Sequence, residues 1–161
     1  SAGERVDDDT CPQPSDAQGQ VLLNMETLWQ QAYPSECVIV RPTGIYGTSV
    51  TRMIKLTETT KSYPKLHWSN RIHIEDLVAF LAHLLHVEHT EKSYICSNSQ
   101  PLPLHEIIQW FQQQLGLPTL VLESDVPSGK QIYATRMQQM NFELQHSHCF
   151  DDYLALLEER E

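Results

Sequence analysis

Long apolar runs are missing from this sequence of 161 residues. The longest one, around Leu77 to Leu85, is interrupted by His83, whereas a helix that spans a bilayer needs about 20 consecutive apolar residues. The N-terminus also lacks the basic, then apolar, then small-residue order of a secretory signal. The sequence therefore predicts neither a membrane span nor a signal peptide.

Glycine and proline are also scarce, with six and nine residues respectively. This excludes a collagen-like or low-complexity chain. Hydrophobic residues make up 40% of the chain and charged residues 20%, which is typical of one globular domain with a buried core.

Basic side chains are few, because 11 lysines and arginines stand against 21 aspartates and glutamates, for a net charge of −10 at pH 7. Such a surface repels nucleic-acid phosphates and anionic lipids. We therefore predict no nucleic-acid partner and no membrane partner.

Paired cysteine motifs are absent, since none of the four cysteines forms a C-x-x-C pair. A zinc knuckle or a thioredoxin-like site is thus not indicated. Cys37 and Cys96 lie in apolar runs and are expected to be small buried hydrophobic residues. A reducing cytoplasm is the expected compartment.

No metal site is predicted from the histidines either. His83, His86 and His89 lie in or just after a helical pattern, where the third points away from the first and no carboxylate completes a ligand set. They are interpreted as part of a solvated face.

Helical and strand-like patterns alternate along the chain, which predicts an α/β fold. Helices are expected over residues 17–32, 50–57, 75–85, 104–115, 134–140 and 150–157. Strands are expected over residues 37–40, 71–74, 94–96 and 119–122. These strands are too few for a complete doubly wound sheet. We predict a loop or N-terminal extension over residues 1–16 and a single α/β domain over residues 17–161.

The first helix has the clearest pattern. Asp16 precedes it as a cap, and Val21, Met25, Leu28 and Trp29 recur at helical spacing. This spacing predicts one buried face. The following strand is expected to stop at Arg41-Pro42, because proline donates no hydrogen bond to a ladder.

Two segments resemble a known family. Residues 38–47 read Val-Ile-Val-Arg-Pro-Thr-Gly-Ile-Tyr-Gly, and residues 68–77 read Trp-Ser-Asn-Arg-Ile-His-Ile-Glu-Asp-Leu. They are similar to two segments of the extended short-chain dehydrogenases/reductases, the class that contains the NAD(P)-dependent nucleoside-diphosphate-sugar epimerases and dehydratases. The sequence Asn-Arg-Ile-His resembles most closely a bacterial subgroup of these epimerases.

The resemblance extends over nearly the whole chain, through residues 6–9, 22–26, 94–96, 116–118, 129–132 and 136–142. It implies the C-terminal portion of a Rossmann-like fold with a small substrate-binding lobe. It also implies that the N-terminal, cofactor-binding half of the family is missing from these residues. The chain opens Ser1-Ala2-Gly3, and composition does not distinguish a trimmed tail from the middle of a longer polypeptide.

Two departures from the family pattern bear on activity. No G-x-x-G-x-x-G turn is present to bring the backbone against a pyrophosphate. Gln18 and Leu22 stand where the family has its Tyr-x-x-x-Lys pair, and neither can perform that acid–base chemistry. The chain is therefore expected to be inactive by itself and to hold NAD or NADP weakly, and no catalytic residue is assigned. The alternative is a non-catalytic binding or regulatory module.

The resemblance implies which residues meet the cofactor of the intact protein. Pro42, Thr43, Gly44 and Ile45 form the loop that lies along the nicotinamide end of NAD or NADP. This loop follows the carboxyl end of a buried strand, where open α/β sheets bind ligands. An ordinary connecting loop is the competing interpretation.

Substrate contacts are implied for Tyr46, Asn70, Arg71 and His73. Arg71 and His73 are two apart on a strand and so share a face, and a guanidinium suits a bidentate grip on the diphosphate of a nucleotide sugar. The alternative is a structural ion pair between Arg71 and a carboxylate at the start of the next helix, Glu75 or Asp76.

The expected partners follow from the same resemblance. They are a nucleotide sugar, the missing N-terminal half and a second copy of the chain, since the family often dimerises through a helix pair. If the first half is a separate polypeptide, the isolated chain should expose an apolar edge and dimerise or aggregate.

Overall fold

The computed structural model describes residues 1–159, and helices and short strands alternate along them, as predicted. The helices are α1 (Ala17–Ala32), α2 (Thr51–Thr59), α3 (Ile74–Leu84), α4 (Leu104–Gln114), α5 (Thr135–Gln139) and α6 (Cys149–Glu158). The strands are β1 (Arg5–Val6), β2 (Ile39–Pro42), β3 (Gly44–Tyr46), β4 (Ser62–Tyr63), β5 (Leu66–Ser69), β6 (Arg71–His73), β7 (Ser93–Cys96), β8 (Leu102–Pro103), β9 (Val121–Leu122), β10 (Pro127–Gly129) and β11 (Gln131–Ile132).

Most strands pair in parallel with a partner far away in the chain. The parallel pairs are β1 with β11, β2 with β7, β3 with β6, β4 with β9 and β5 with β10. Only β8 runs antiparallel to its partner β5 among the described strands. Parallel neighbours need a long crossover, and α2 and α3 lie in the crossovers that return the chain to β6 and β7.

The first helix has the predicted bounds and cap but not the predicted burial. The backbone N–H of Gly19 donates to the Asp16 carboxylate at 2.7 Å. Val21, Leu28 and Trp29, however, are 63%, 64% and 53% exposed. The prediction of a buried face is wrong for the described residues. The spacing marks a face that favours burial, but it does not supply the surface that would cover it.

Loss of the Asp16 cap should be measurable. We expect Asp16→Ala to lower the free energy of unfolding by about 1 kcal/mol, because an N-terminal amide of α1 loses its acceptor. Urea unfolding of this variant beside Ser15→Ala, an exposed neighbour, measures the effect. Equal midpoints for the two variants would contradict the assignment.

Two predictions around the second strand also need correction. The strand expected over residues 37–40 and ending at Arg41-Pro42 lies two residues later, at Ile39–Pro42, so that it includes both residues and Pro42 pairs with Cys96 at its end. Proline is tolerated because only one side of β2 is paired among the described residues. Gly44 and Ile45, expected to belong to a loop, form β3 together with Tyr46, a strand too short for a sequence pattern to reveal.

The N-terminal segment contains a short strand where the sequence predicts only a loop. β1 pairs with β11, and the Asp8 carboxylate accepts hydrogen bonds from three groups further along the chain. These donors are the Ile95 and Arg136 backbone N–H groups and the Thr135 hydroxyl, at 2.6, 3.0 and 3.1 Å respectively. The segment is therefore attached to the strands that follow it.

The buried side chains form two hydrophobic clusters. The first joins β6, α3, β7 and α5 around Ile72, Phe80 and Met137. The second joins α2, α4 and α6 around Phe111 and Tyr153. Burial raises the pKa of the Cys96 thiol, in the first cluster, to about 12. Cys96 is thus buried as predicted, whereas Cys37 is only half-buried.

The ends of α3 and α4 follow from local chemistry. Gly116 adopts a φ of +64° after α4, the left-handed conformation expected at a helix end. The helix expected over residues 75–85 begins at Ile74 and ends at Leu84, and Leu85 is 84% exposed. None of the helices within residues 1–159 combines the length and apolar character that a bilayer span requires.

Candidate functional site

The parallel pairing of β3 with β6 brings the two predicted site segments together. Gly44 lies opposite Arg71, and Tyr46 lies opposite His73. The backbone N–H of Gly44 donates to the carbonyl of Asn70 at 3.0 Å. Residues that are far apart in sequence thus become neighbours at the ends of adjacent strands.

Three of the four predicted cofactor residues line a single cavity of about 310 Å³. Its lining residues are Val6, Arg41, Pro42, Thr43, Gly44, Asn70, Ile95 and Ile132. The fourth, Ile45, lies outside this cavity and is 52% exposed. The cavity is at the small end of the roughly 300–1,000 Å³ typical of drug-sized ligands.

Asn70 lines this cavity but its amide is already engaged. Its Nδ2 donates to the Lys130 carbonyl at 2.8 Å, and its Oδ1 accepts from the Ile132 N–H at 2.8 Å. These two bonds attach the start of β6 to β11. Asn70 therefore lines the cavity with an amide that is not free to bind a ligand.

Arg71 is buried, with 6% of its surface exposed, and forms no ion pair with a described residue. Its Nη2 donates to the Ser69 hydroxyl at 2.7 Å, and its Nη1 lies 3.8 Å from the Cys149 Sγ. The alternative of a structural pair with Glu75 or Asp76 is thus not what the structure contains.

An uncompensated guanidinium at this depth is costly, because buried charges are normally paired. Tyr153 of α6 lies beside it. Burial raises the pKa of Tyr153 to about 12, although the Arg71 charge opposes the shift. The arrangement leaves the guanidinium able to receive an anion.

His73 and Tyr46, the other two predicted substrate residues, are in contact with each other. Their rings meet edge to face, with centroids 5.1 Å apart. The His73 Nδ1 accepts the Glu75 N–H at 3.2 Å and so caps α3. Any Cβ at residue 47 would overlap the His73 ring, which explains the glycine there, with its φ of +111°.

A chain of hydrogen bonds continues from Tyr46 through residues that the sequence analysis did not select. The Tyr46 hydroxyl donates to the Asp152 Oδ2 at 2.6 Å. The Asp152 Oδ1 lies 2.6 Å from the His146 Nδ1, and the His146 Nε2 lies 3.0 Å from the Glu75 Oε2. The His146 ring stacks on His73, with centroids 3.6 Å apart.

The two stacked histidines have opposite pKa shifts. Burial lowers the pKa of His73, and the neighbouring His146 lowers it further. Burial would also lower the pKa of His146, but its hydrogen bonds to Asp152 and Glu75 outweigh this and raise the pKa. Desolvation and the Asp152 carboxylate raise the pKa of Tyr46 far above its ordinary value, so its phenol stays protonated.

Asp76 supports this cluster from beneath. Its carboxylate is buried and accepts the backbone N–H groups of Gln145 and His146, at 2.8 and 2.9 Å. Asp76 lies in the first turn of α3, as expected from the sequence. Asp76 holds the segment that carries His146.

Within residues 1–159, His73, Glu75 and His146 form the one group of three whose ligand atoms lie close enough for a metal ion. Their geometry opposes shared coordination. Imidazole lone pairs lie in the ring plane, and the two ring planes are separated and nearly parallel, at 10°. One ion cannot lie in both planes, so we assign the cluster to hydrogen bonding.

The residues present fit only part of a dinucleotide. The cavity at Pro42, Thr43 and Gly44 offers a wall for one ring, but the glycine-rich turn that would hold a pyrophosphate is absent from the sequence. Gln18 and Leu22, which stand where the family has its Tyr-x-x-x-Lys pair, are exposed on α1.

The residues that the sequence analysis missed come from the last segment of the chain. His146 precedes α6 without any motif, and Asp152 is indistinguishable in sequence from an acidic residue placed at a helix start. Only the packing of α6 against β3 and β6 brings them to Tyr46 and His73.

Comparison with known proteins found similarity in solved structures alone. No protein-family model matches the chain, and no curated protein matches it. A candidate NAD-dependent epimerase/dehydratase from Methylobacillus flagellatus is 31% identical, with a TM-score of 0.83 over 99% of this chain and 59% of that one.

Two more distant structures show the fold alone. The dTDP-glucose 4,6-dehydratase of Bacillus anthracis, in complex with NAD, is 15% identical, with a TM-score of 0.74 over 98% of this chain and 56% of that one. A dTDP-4-dehydrorhamnose reductase of Clostridium acetobutylicum is 16% identical, with a TM-score of 0.73 over 98% of this chain and 61% of that one. The chain therefore has the mixed α/β, Rossmann-like fold of epimerase/dehydratase and sugar-reductase structures, and it spans about three fifths of their length.

Proposed function

We propose that the chain is the C-terminal, substrate-binding part of an NAD(P)-dependent epimerase, dehydratase or reductase that acts on a nucleotide sugar. The similarity to a candidate epimerase/dehydratase at 31% identity supports the proposal. So does the likeness in fold to enzymes named for dTDP-sugars.

The observation that carries this proposal is the buried, unpaired guanidinium of Arg71. A nucleotide sugar presents a diphosphate, and a guanidinium binds such an anion through two parallel hydrogen bonds. The Ser69 hydroxyl and the Tyr153 phenol lie beside it as further polar groups. The sugar would extend toward Tyr46 and His73.

The cofactor is NAD or NADP, held mostly by an N-terminal half that this sequence does not contain. The chain spans 59% of the similar structure, which leaves room for such a half. The cavity at Pro42, Thr43 and Gly44 would then cover the nicotinamide end.

The chain by itself should bind the cofactor poorly and have no turnover. In isothermal titration with NAD, NADH and NADPH, we expect no saturable binding below about 1 mM, because the helix N-terminus and glycines that hold a pyrophosphate are absent. Saturable micromolar binding of any of the three would contradict the proposal. UDP is titrated in parallel, because the proposal expects it to bind at Arg71 without the cofactor-binding half.

The second candidate function is a non-catalytic module that binds a nucleotide and regulates a partner. Gln18 and Leu22, in place of a Tyr-x-x-x-Lys pair, favour it. A longer protein that contains these residues separates the two candidates. The enzyme turns over a nucleotide sugar in the presence of NAD(P), whereas the module binds nucleotide without turnover.

The exposed apolar face of α1 is a candidate contact for the N-terminal half or for a second copy. Its residues are Val21, Leu22, Met25, Leu28 and Trp29, each at least half exposed. Sedimentation of the isolated chain should show dimers or aggregates. A cytoplasmic location is proposed on the same resemblance.

A further inference from the structure

Helix α6 closes the site around Arg71. The Cys149 thiol, in the first turn of α6, lies 3.8 Å from the guanidinium, and Tyr153 lies beside it one turn later. Arg71 is only 6% exposed behind this helix. A ligand can therefore reach both guanidinium edges only when the first turns of α6 move away.

His146 joins α6 to the body of the molecule. On one side its Nδ1 contacts Asp152 of α6 at 2.6 Å, and on the other its Nε2 contacts Glu75 of α3 at 3.0 Å. The second Asp152 oxygen accepts the Tyr46 hydroxyl from β3. Beside the hydrophobic packing of Cys149 and Tyr153 in the second cluster, the ionisable contacts of the first turns of α6 thus run through a single imidazole and a single carboxylate.

The charge of His146 decides whether both contacts can exist. A neutral imidazole has one N–H and one lone pair, so it donates to only one of two carboxylates, whereas an imidazolium donates to both. The ionisable groups that face His146 are His73 from β6, Glu75 and Asp76 from α3, Asp152 from α6 and, through Asp152, Tyr46 from β3. Three of these are carboxylates, which favour the imidazolium form of His146, whereas a proton on His73 would oppose it.

We propose that protonated His146 is a latch that holds α6 closed over Arg71, and that loss of its proton frees the helix and opens the anion site. The latch would regulate the site to which the proposed function assigns the nucleotide sugar. Its test uses no ligand, so the latch and the proposed function can fail independently.

The direction of the pH dependence follows from the raised pKa of His146. A raised pKa in the closed form means that the contacts contribute fully below the ordinary histidine value of about 6.5 and are lost as the pH rises through the higher value. The latch is therefore closed in mildly acidic solution and opens toward alkaline pH. Tyr46 keeps its proton throughout and continues to donate to Asp152.

Amide hydrogen exchange of the 161-residue chain tests the latch. Protection factors of the α6 amides are compared between about pH 6 and about pH 8.5, with α4 amides as the internal reference, because these factors remove the intrinsic effect of pH on exchange. We expect α6 protection to fall by roughly three- to tenfold relative to α4, the range for two partly exposed ion pairs.

Two variants supply the controls. In His146→Gln the protection of the α6 amides should be independent of pH. The matched control is His148→Gln, because His148 is exposed at the cap of α6 and makes no side-chain cap hydrogen bond. This control should show the same pH dependence as the unaltered chain. Glu75→Gln should reduce the pH effect without abolishing it. The latch is refuted if the protection of α6 in the unaltered chain does not change with pH. It is also refuted if that protection changes equally in the unaltered chain and in His146→Gln. Circular dichroism confirms that each variant is folded.

Discussion

Arg71→Met is expected to weaken UDP binding by about 10- to 100-fold while leaving the free energy of unfolding unchanged or higher. Hydrogen bonds to a charged group contribute roughly 1.5–3 kcal/mol, which sets the size of the binding loss. Stability should not fall, because the guanidinium is buried without a carboxylate partner and methionine fills the volume without that charge. Isothermal titration with UDP and urea unfolding provide the two measurements.

The opposite directions of these two effects make the test specific. If Arg71 were structural, its substitution would lower the stability of the protein. If Arg71 binds the ligand, its substitution lowers only the affinity for UDP. Arg71→Lys should lie between the unaltered chain and Arg71→Met in affinity, since an ammonium cannot make the two parallel hydrogen bonds. Arg52→Met, at an exposed position of α2, controls for loss of one positive charge. Equal UDP affinity in Arg71→Met and Arg52→Met would remove the main support for a nucleotide-sugar site.

Asp76→Ala should have the largest effect on stability, with a loss of about 2–5 kcal/mol. The substitution leaves the Gln145 and His146 amide N–H groups without their acceptor, and a fully buried unsatisfied donor costs about 1–3 kcal/mol. Both bonds are only partly buried, which keeps the loss below the sum of two full penalties. Urea unfolding beside Glu88→Ala, an exposed position after α3, measures the loss.

The same variant should also disturb the polar cluster, because the segment at residues 145–146 carries the latch histidine. We expect the pH dependence of α6 protection to disappear in Asp76→Ala under conditions where the protein is still folded. A loss below about 0.5 kcal/mol, within the range of ordinary surface substitutions, would show that other groups hold this segment.

Local patterns predicted most helices well because their signals lie within a few residues. The Asp16 cap and the bounds of α1 both follow from neighbours in sequence. The α1 face shows the limit of such patterns. Spacing identifies apolar residues that favour burial, but their partner can belong to another segment or another chain.

The site was only half predictable for a related reason. Arg71, His73 and Tyr46 could be selected because they occur in segments that resemble a family, and the β3–β6 register brings them together. His146 and Asp152 belong to no motif and reach the site only through the tertiary placement of α6. Chain distance hides such contacts, since Tyr46 and Asp152 are 106 residues apart.

The attachment of the N-terminal segment has a consequence for how the chain folds. Arg5 of β1 pairs with Gln131 of β11, so β1 cannot pair with β11 until residue 131 has been synthesised. Closing so long a loop costs conformational entropy before any contact compensates it, and distant parallel pairing is slow for that reason. We therefore expect β1 to join last during folding, and a nascent chain to expose the open edge of β11 until it does.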